Sequence, residues 1–466
     1  MLSLKFNILI FSTVVIKMMG FIYSSDNGYT PQSYISLLVS ASVQLGAFFG
    51  QLIFGYLGDI YGRLRIYKIV LLIVLIGIIG SSLSAEIKSG LSVYAVYGMW
   101  RIFTGIGFGA VYPATALIIA EYAPTRLRGT MCASLFAMQG FAILIGPLVS
   151  LVFLSMFKNS IADNVNNLDN VWRLCIVVGI IPCLITMYLC KTIPETPRYT
   201  VFIEGDLIKA ENDIQIITTR KKYKVTRIIK KVVNQREFRI FFKRYFSVKE
   251  NLKLLAFLSV CRFITNIVLY GINWNTENVL NAVGFGSAAK ITLNDAFTYN
   301  YKYSVGNLIL AVMGALPGYW VGVGLIEIMG RKKLQIISFF GLFSLLITLG
   351  AAYKDIVNLD TSTSNIIFAV YYTLLQLFLD FGANATVFVV PAEVFPTRIR
   401  STAYGITSAI GKIGALCTFG IFFIKDIGGS NALLNAIYII FSILMLIGAI
   451  ISFFMPETKQ KTYEES

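Results

Sequence analysis

Residues 121–130 read EYAPTRLRGT and residues 393–402 read EVFPTRIRST. Two nearly identical decapeptides, 393 − 121 = 272 positions apart, point to an internal duplication. Two further pairs recur at similar offsets. GYLGDIYGRLR (55–65) returns as GLIEIMGRKK (324–333), with 327 − 59 = 268, and PETPR (194–198) returns as PETKQ (456–460), with 456 − 194 = 262. One unit is therefore written twice in the same orientation.

The unit is a membrane one. In a chain of 466 residues, 56% are hydrophobic and only 14% charged, with a mean hydropathy of +0.72. A soluble core of this length does not need so much apolar surface. Apolar runs recur near 6–23, 32–58, 66–84, 91–120, 129–157, 171–193, 251–278, 300–328, 333–353, 363–392, 401–424 and 431–455. Each is long enough to cross the roughly 30 Å hydrocarbon layer as a helix. The fold class expected is an all-α multi-pass membrane protein, with twelve transmembrane helices in two six-helix halves. The expected organisation is a first half over 1–193, a basic linker over 194–250 and a second half over 251–466. Two parallel six-helix repeats with a site between them are the architecture of an alternating-access transporter.

The net charge of +16 would suggest nucleic acid in a soluble protein, but here its distribution matters more than its size. From Arg198 to Lys249 there are 14 Lys/Arg against 5 Asp/Glu, an excess of 14 − 5 = +9. Residues 24–31 and 159–170, on the other side, carry no Lys or Arg. The positive-inside rule then puts both termini and the linker in the cytoplasm. KKYK at 221–224 and KK at 230–231 are read as part of a solvated inside-positive loop rather than as a lipid or partner site. The apolar run from Phe6 has no A-x-A-like site after it and is read as a retained helix rather than a signal peptide. The host is expected to be the plasma membrane or an organelle membrane.

Polar residues at helix ends need a reason. Asp59, Arg63, Glu121, Arg126 and Arg128, with Glu327, Arg331, Glu393, Arg398 and Arg400, fall at the basic ends of equivalent spans in the two halves. They are expected to form a cytoplasmic gate of opposite charges that parts when the site opens inward. The alternative is that the basic residues only hold loops inside. Gly105 and Gly109 are expected to let helices pack closely. The six cysteines show no C-x-x-C pattern and read as buried small hydrophobes. With no histidine, a zinc site is not expected, nor any other metal or cofactor, and a proton carrier would have to be a carboxylate. Neither a nucleotide-binding loop nor a catalytic constellation is visible, so an enzyme is not expected.

Depth follows from the 1.5 Å rise per helical residue. Lys17, Arg262 and Lys412 each lie 11 residues from the start of their runs, about 16 Å deep and near the bilayer centre. Tyr112, Gln139, Tyr270, Asp380 and Asn384 are spread about the middle and outer half by the same count. A charge at that depth costs several kcal/mol unless it faces a cavity or a partner. Three cations and one acid leave +2, which favours an anion. A tetrahedral oxyanion suits charge-assisted bonds from Lys and Arg, with neutral donors completing the shell. Asp380 is either a proton carrier or the partner of Lys17 or Lys412 in a buried ion pair.

On Asp59-x-x-Gly62-Arg63, Arg101-x-x-x-Gly105-x-Gly107, PETPR and PETKQ, the chain resembles the major facilitator superfamily over almost its full length. YPATALIIAEYAPTRLRG and ANATVFVVPAEVFPTRIRSTAYGITSAIGKIGA resemble the phosphate:proton symporters of fungi and plants. That resemblance implies substrate contacts at Tyr112, Gln139, Tyr270, Asn384 and Lys412. It also implies acids that are missing here. T-D-x-x-D becomes Thr13, Val14 and Lys17; G-D-Y-P becomes Ala110-Val111-Tyr112-Pro113; and the acid of W-x-x-x-D-x-x-x-Y-G is replaced, leaving Arg262, Asn266, Tyr270 and Gly271. The expectation is transport of inorganic phosphate or a related anion, with Asp380 as the possible site of proton coupling. Lys17, Arg262 and Asn266 join the expected binding set. The alternatives are a sugar or organic-anion porter and a membrane sensor that does not transport.

Overall fold

The computed structural model describes residues 11–24, 31–86, 91–219, 235–286, 295–428 and 432–460. Among these, eleven helices are long and apolar enough to cross a membrane: Tyr34–Tyr61, Arg63–Ser82, Val93–Tyr122, Thr125–Met156, Val165–Cys190, Lys249–Asn281, Ala296–Met329, Arg331–Ile356, Thr363–Val394, Arg400–Phe423 and Leu434–Ser452. Helix Phe11–Tyr23 precedes them. Together they are spans one to twelve in chain order, matching the expected fold. The start of the first apolar run at Phe6, and the basic residues 221–224 and 230–231, lie outside the described residues.

Why the spans assemble is visible at their small residues. Span two packs along span four in the first half, and seven along eleven and nine along twelve in the second. Two seams join the halves, span two against eleven and span five against eight, and the repeat makes them equivalent. A Cβ at Gly109 would lie 2.2 Å from the Ala47 carbonyl oxygen, so only hydrogen fits there. In lipid, such contact supplies dispersion that the hydrophobic effect cannot. Gly62 and Gly330 turn the chain from span two into three and from span eight into nine, at φ of 103° and 85°, where a side chain would be strained.

The linker is not a bare loop. Glu195 of PETPR accepts the Leu64 N–H at 2.9 Å at the start of span three, and Glu457 of PETKQ accepts the Arg331 N–H at 3.0 Å at the start of span nine. Each carboxylate meets free N–H groups and the positive end of a helix dipole. A helix at Gln235–Ser247 lies across the basic end, with Phe238 against Tyr56 of span two and Phe246 against Phe395 after span ten. Of the cysteines, Cys132, Cys175, Cys183, Cys190 and Cys261 are buried as expected, but Cys417 is exposed. It lies on a face of span eleven that no other described helix covers.

Replacing Gly109 by Leu should destabilise the fold by at least the roughly 1–3 kcal/mol of an overpacked core. A Cβ at Gly98 meets nothing within 4 Å, so Gly98→Ala should leave thermal unfolding in detergent unchanged.

Candidate functional site

At the basic end, charges are buried in two clusters related by the repeat. In one, Glu121 lies 3.3 Å from Arg63 and 3.3 Å from Arg400, and Arg63 is 3.2 Å from Asp59. In the other, Arg331 is held by Glu327 at 2.9 Å and by Glu393 at 2.8 Å. Thr196 and Thr458, equivalent residues of the PET runs, donate their hydroxyls to Glu121 and Glu393 at 2.5 Å each.

Carboxylates and arginines of one half grip the other half. Asp59 accepts the Ser401 and Thr402 N–H groups at 3.1 and 2.8 Å, at the start of span eleven. Glu327 accepts the Gly129 N–H at 2.9 Å, at the start of span five. Arg63 donates to the Thr397 carbonyl. Arg128 is buried at the start of span five, in the place matching Arg400. Two arginines expected in this cluster are not in it. Arg126 is exposed, and Arg398 is an exposed side chain lying 5.5 Å over the Phe241 ring of the linker helix. They sit on the solvent side of turns whose other side carries Arg128 and Arg400.

Seven of the eight residues expected to bind substrate, Tyr112, Gln139, Arg262, Asn266, Tyr270, Asn384 and Lys412, line one small cavity between the halves, with Gln51 and Phe136 among the other walls. The Lys412 ammonium donates to Gln44 at 2.9 Å and to the Tyr270 hydroxyl at 3.2 Å, and it faces the Tyr112 ring at 5.9 Å. Arg262 donates to the Val387 carbonyl at 2.5 Å and lies 5.3 Å over the Tyr404 ring. The Tyr112 hydroxyl donates to Gln139 at 3.0 Å. Among the described residues neither Lys412 nor Arg262 is in an ion pair. Two cations with neutral partners and no acid in the wall leave positive potential for a small anion.

A larger cavity adjoins the first and shares Tyr270 and Leu269 with it. Asp380 is in its wall, on a widened turn at Leu379–Ala383 that interrupts span ten. A second such turn at Ala311–Ala315 interrupts span eight, and Ala311 and Ala315 line the same cavity. Turns of this kind are enriched at functional sites. Asn384 donates to Asp380 at 3.1 Å, so the two share a helix face as their spacing implied.

Lys17 is the exception. It pairs with Glu277, at 277 − 262 = 15 residues beyond Arg262 in span seven, about 22 Å along the helix axis. Counting depth from Phe6 placed it level with Arg262 and Lys412. Its partner puts it towards the end opposite the basic one, outside the cation cluster and bridging the two halves. Lys17 thus pairs with Glu277 instead of Asp380 and is not in the wall of the small cavity.

Three residues that stand in no motif complete the picture, Gln44, Gln51 and Glu277. Gln44 joins Lys412 to Tyr270, and Gln51 lines the same cavity. They are seven apart on span two and so share a face, a signal a search for charges passes over. Glu277 lay at the edge of an apolar run, where an acid reads as a loop residue.

A polar cavity between two six-helix repeats, closed at one end by interlocked charges, defines a secondary transporter of the major facilitator fold. The chain belongs to the sugar (and other) transporter family, whose description matches residues 6–466. It is 33% identical over 475 residues to a repressible high-affinity phosphate permease of Neurospora crassa, covering 96% of this chain and 81% of the relative. It is 35% identical to a probable inorganic phosphate transporter 1-6 of Arabidopsis thaliana, covering 97% and 89%. Among solved structures, the proton:xylose symporter XylE bound to 6-bromo-6-deoxy-D-glucose superposes with a TM-score of 0.72 at 21% identity, covering 100% of this chain and 97% of that one.

Removing one partner of a buried ion pair costs about 3–5 kcal/mol, so Glu393→Gln should loosen the basic end. Cys132, buried beside Arg128 and Arg331, reports it: in a Cys417→Ser background its alkylation by a water-soluble maleimide should rise about tenfold to a hundredfold, equivalent to about 1.4–3 kcal/mol. Lys17→Glu should lower the melting temperature in detergent, and adding Glu277→Lys should restore it, with a coupling of about 1 kcal/mol. A residue that served only to hold substrate would show no such rescue.

Proposed function

We propose that this chain carries inorganic phosphate, or a closely related oxyanion, across a membrane by alternating access. The observation that carries the proposal is the cavity holding Arg262 and Lys412 with Tyr112, Gln139, Asn266, Tyr270 and Asn384 and no carboxylate in its wall. A neutral sugar would gain little from two desolvated cations. An oxyanion turns both into charge-assisted donors. The named functions of the fungal and plant relatives support the same cargo.

With the basic end in the cytoplasm, the interlocked charges hold the inside shut and the cavities belong to the outward-facing part of the cycle. Phosphate held by Lys412 and Arg262 of the second half also meets Tyr112 and Gln139 of the first, which draws the halves together around it. Rocking of the halves then breaks the charge clusters and opens the same site inward. Binding drives this only by favouring the closing state over the open one. Among the described residues Asp380 is the one carboxyl group lining either cavity, which makes it the group through which a proton would be carried with the anion. The seven cavity residues bind substrate, Asp380 couples, and Asp59, Arg63, Glu121, Arg128, Glu327, Arg331, Glu393 and Arg400 gate.

Radiolabelled phosphate uptake into proteoliposomes, with and without an inward proton gradient, tests this. Wild type should accumulate label. Lys412→Ala should lose about tenfold or more, as expected for a charged hydrogen bond of about 1.5–3 kcal/mol. Asp380→Asn should keep basal uptake and lose stimulation by the gradient. No entry of phosphate, or entry indifferent to Lys412, would overturn the proposal.

A further inference from the structure

We infer that the transported oxyanion is accepted as a phosphate ester as well as free: the larger cavity is a subsite for a neutral, hydroxyl-rich organic group, with its phosphate on Lys412 and Arg262. The inference rests on the oxyanion site proposed above. Its starting observation is that the two cavities touch through Tyr270, whose hydroxyl receives a bond from Lys412, so one molecule can occupy both.

The larger cavity has the wrong walls for a bare dianion. Among the described residues its one carboxyl group is Asp380, and no Lys or Arg lines it. A passage meant only for phosphate would gain from cations. An acid there repels a phosphate and excludes a second one, so esters with a single phosphate fit and polyphosphates do not.

The same walls suit hydroxyl groups. Gln376 donates to Asn273 at 2.8 Å and to the Tyr372 hydroxyl at 3.0 Å. Thr276 and Tyr372 close the chain of bonds. This leaves the Gln376 carbonyl oxygen as an acceptor and the Asn273 amide as a donor towards the cavity, neither bonded elsewhere among the described residues. Hydroxyls, which both donate and accept, satisfy such a pair. Trp274 and Phe419, with ring centroids 5.8 Å apart and planes at 85°, offer an apolar wall for the carbon face of a polyol or sugar. An apolar cavity with a few fixed polar groups is the usual form of an organic-ligand site.

Glycerol 3-phosphate is the probe. In proteoliposomes holding the full chain, labelled glycerol 3-phosphate and labelled phosphate are followed in parallel, each with the other as unlabelled competitor, and glycerol alone as a control. The ester should enter and compete with phosphate, and glycerol should do neither. Gln376→Ala and Asn273→Ala should each cut ester uptake about tenfold and move phosphate uptake by less than about twofold, because only the ester has hydroxyls to lose. If phosphate enters and the ester neither enters nor competes, the subsite is wrong and the phosphate reading stands. If the ester enters and free phosphate does not, free phosphate is wrong as cargo and the subsite stands. Neither entering overturns both, and equal loss of both substrates in the two variants overturns the subsite.

Discussion

The structure depends on charges that cannot be left alone in the dry basic end. Arg63, Glu121, Asp59 and Arg400 are fully buried, and so is most of the Arg331 cluster. Isolated, each would carry a desolvation cost of several kcal/mol, and only a partner within about 3 Å offsets it. The partners are distributed across the seam. Asp59 reaches the start of span eleven, Glu327 reaches the start of span five, and Arg400 returns to Glu121. Since each half lacks what the other supplies, polar contacts hold the halves together at the basic end, beside an apolar cluster in which Phe136 of the first half packs against Tyr319 and Phe388 of the second. The polar contacts can be exchanged for water when they break, which suits a seam that opens.

The cavity works by the opposite arrangement. At the seam Arg63, Arg331 and Arg400 each have an acid within 3.3 Å. In the small cavity Lys412 and Arg262 have carbonyls, hydroxyls and ring faces, which stabilise a cation without neutralising it. Partners of this kind leave the positive field free to act on a ligand. The acids that the resemblance implies are replaced by Val14, Lys17, Val111 and Asn266, and Lys17 is used elsewhere, against Glu277. The remaining acid of the two cavities, Asp380, stands in the neighbouring wall on a widened turn, apart from the cations it would quench.

Much of this was legible in residue order. The duplicated decapeptides marked equivalent helix ends, and the buried clusters contain Glu121, Glu393 and Arg400 from them. Seven cavity residues were found from charge depth and from resemblance. Residue counting along span one misplaces Lys17, because depth there has a single reference, the start of the apolar run at Phe6, whereas the pairing with Glu277 sets its level. Arg126 and Arg398 were grouped with Arg128 and Arg400, since composition cannot show which side of a short turn faces in. Gln44 escaped notice because a neutral amide in an apolar helix costs little to read as packing.

The sequence by itself determined that the chain is a twelve-span membrane protein in two parallel halves. Hydrophobic length and duplication are local properties, fixed by bilayer thickness and the rise of a helix. It also determined which charges must find partners, because lipid tolerates none alone. Tertiary structure decided which partner each found. That choice turns on helix rotation and on contacts 131 to 343 residues apart, such as Glu195 with Leu64 and Asp59 with Thr402. Only packing of spans seven and eleven leaves Arg262 and Lys412 with neutral neighbours. The resulting field belongs to the assembled cavity, since a Coulomb interaction depends on distance in space and not on order in the chain.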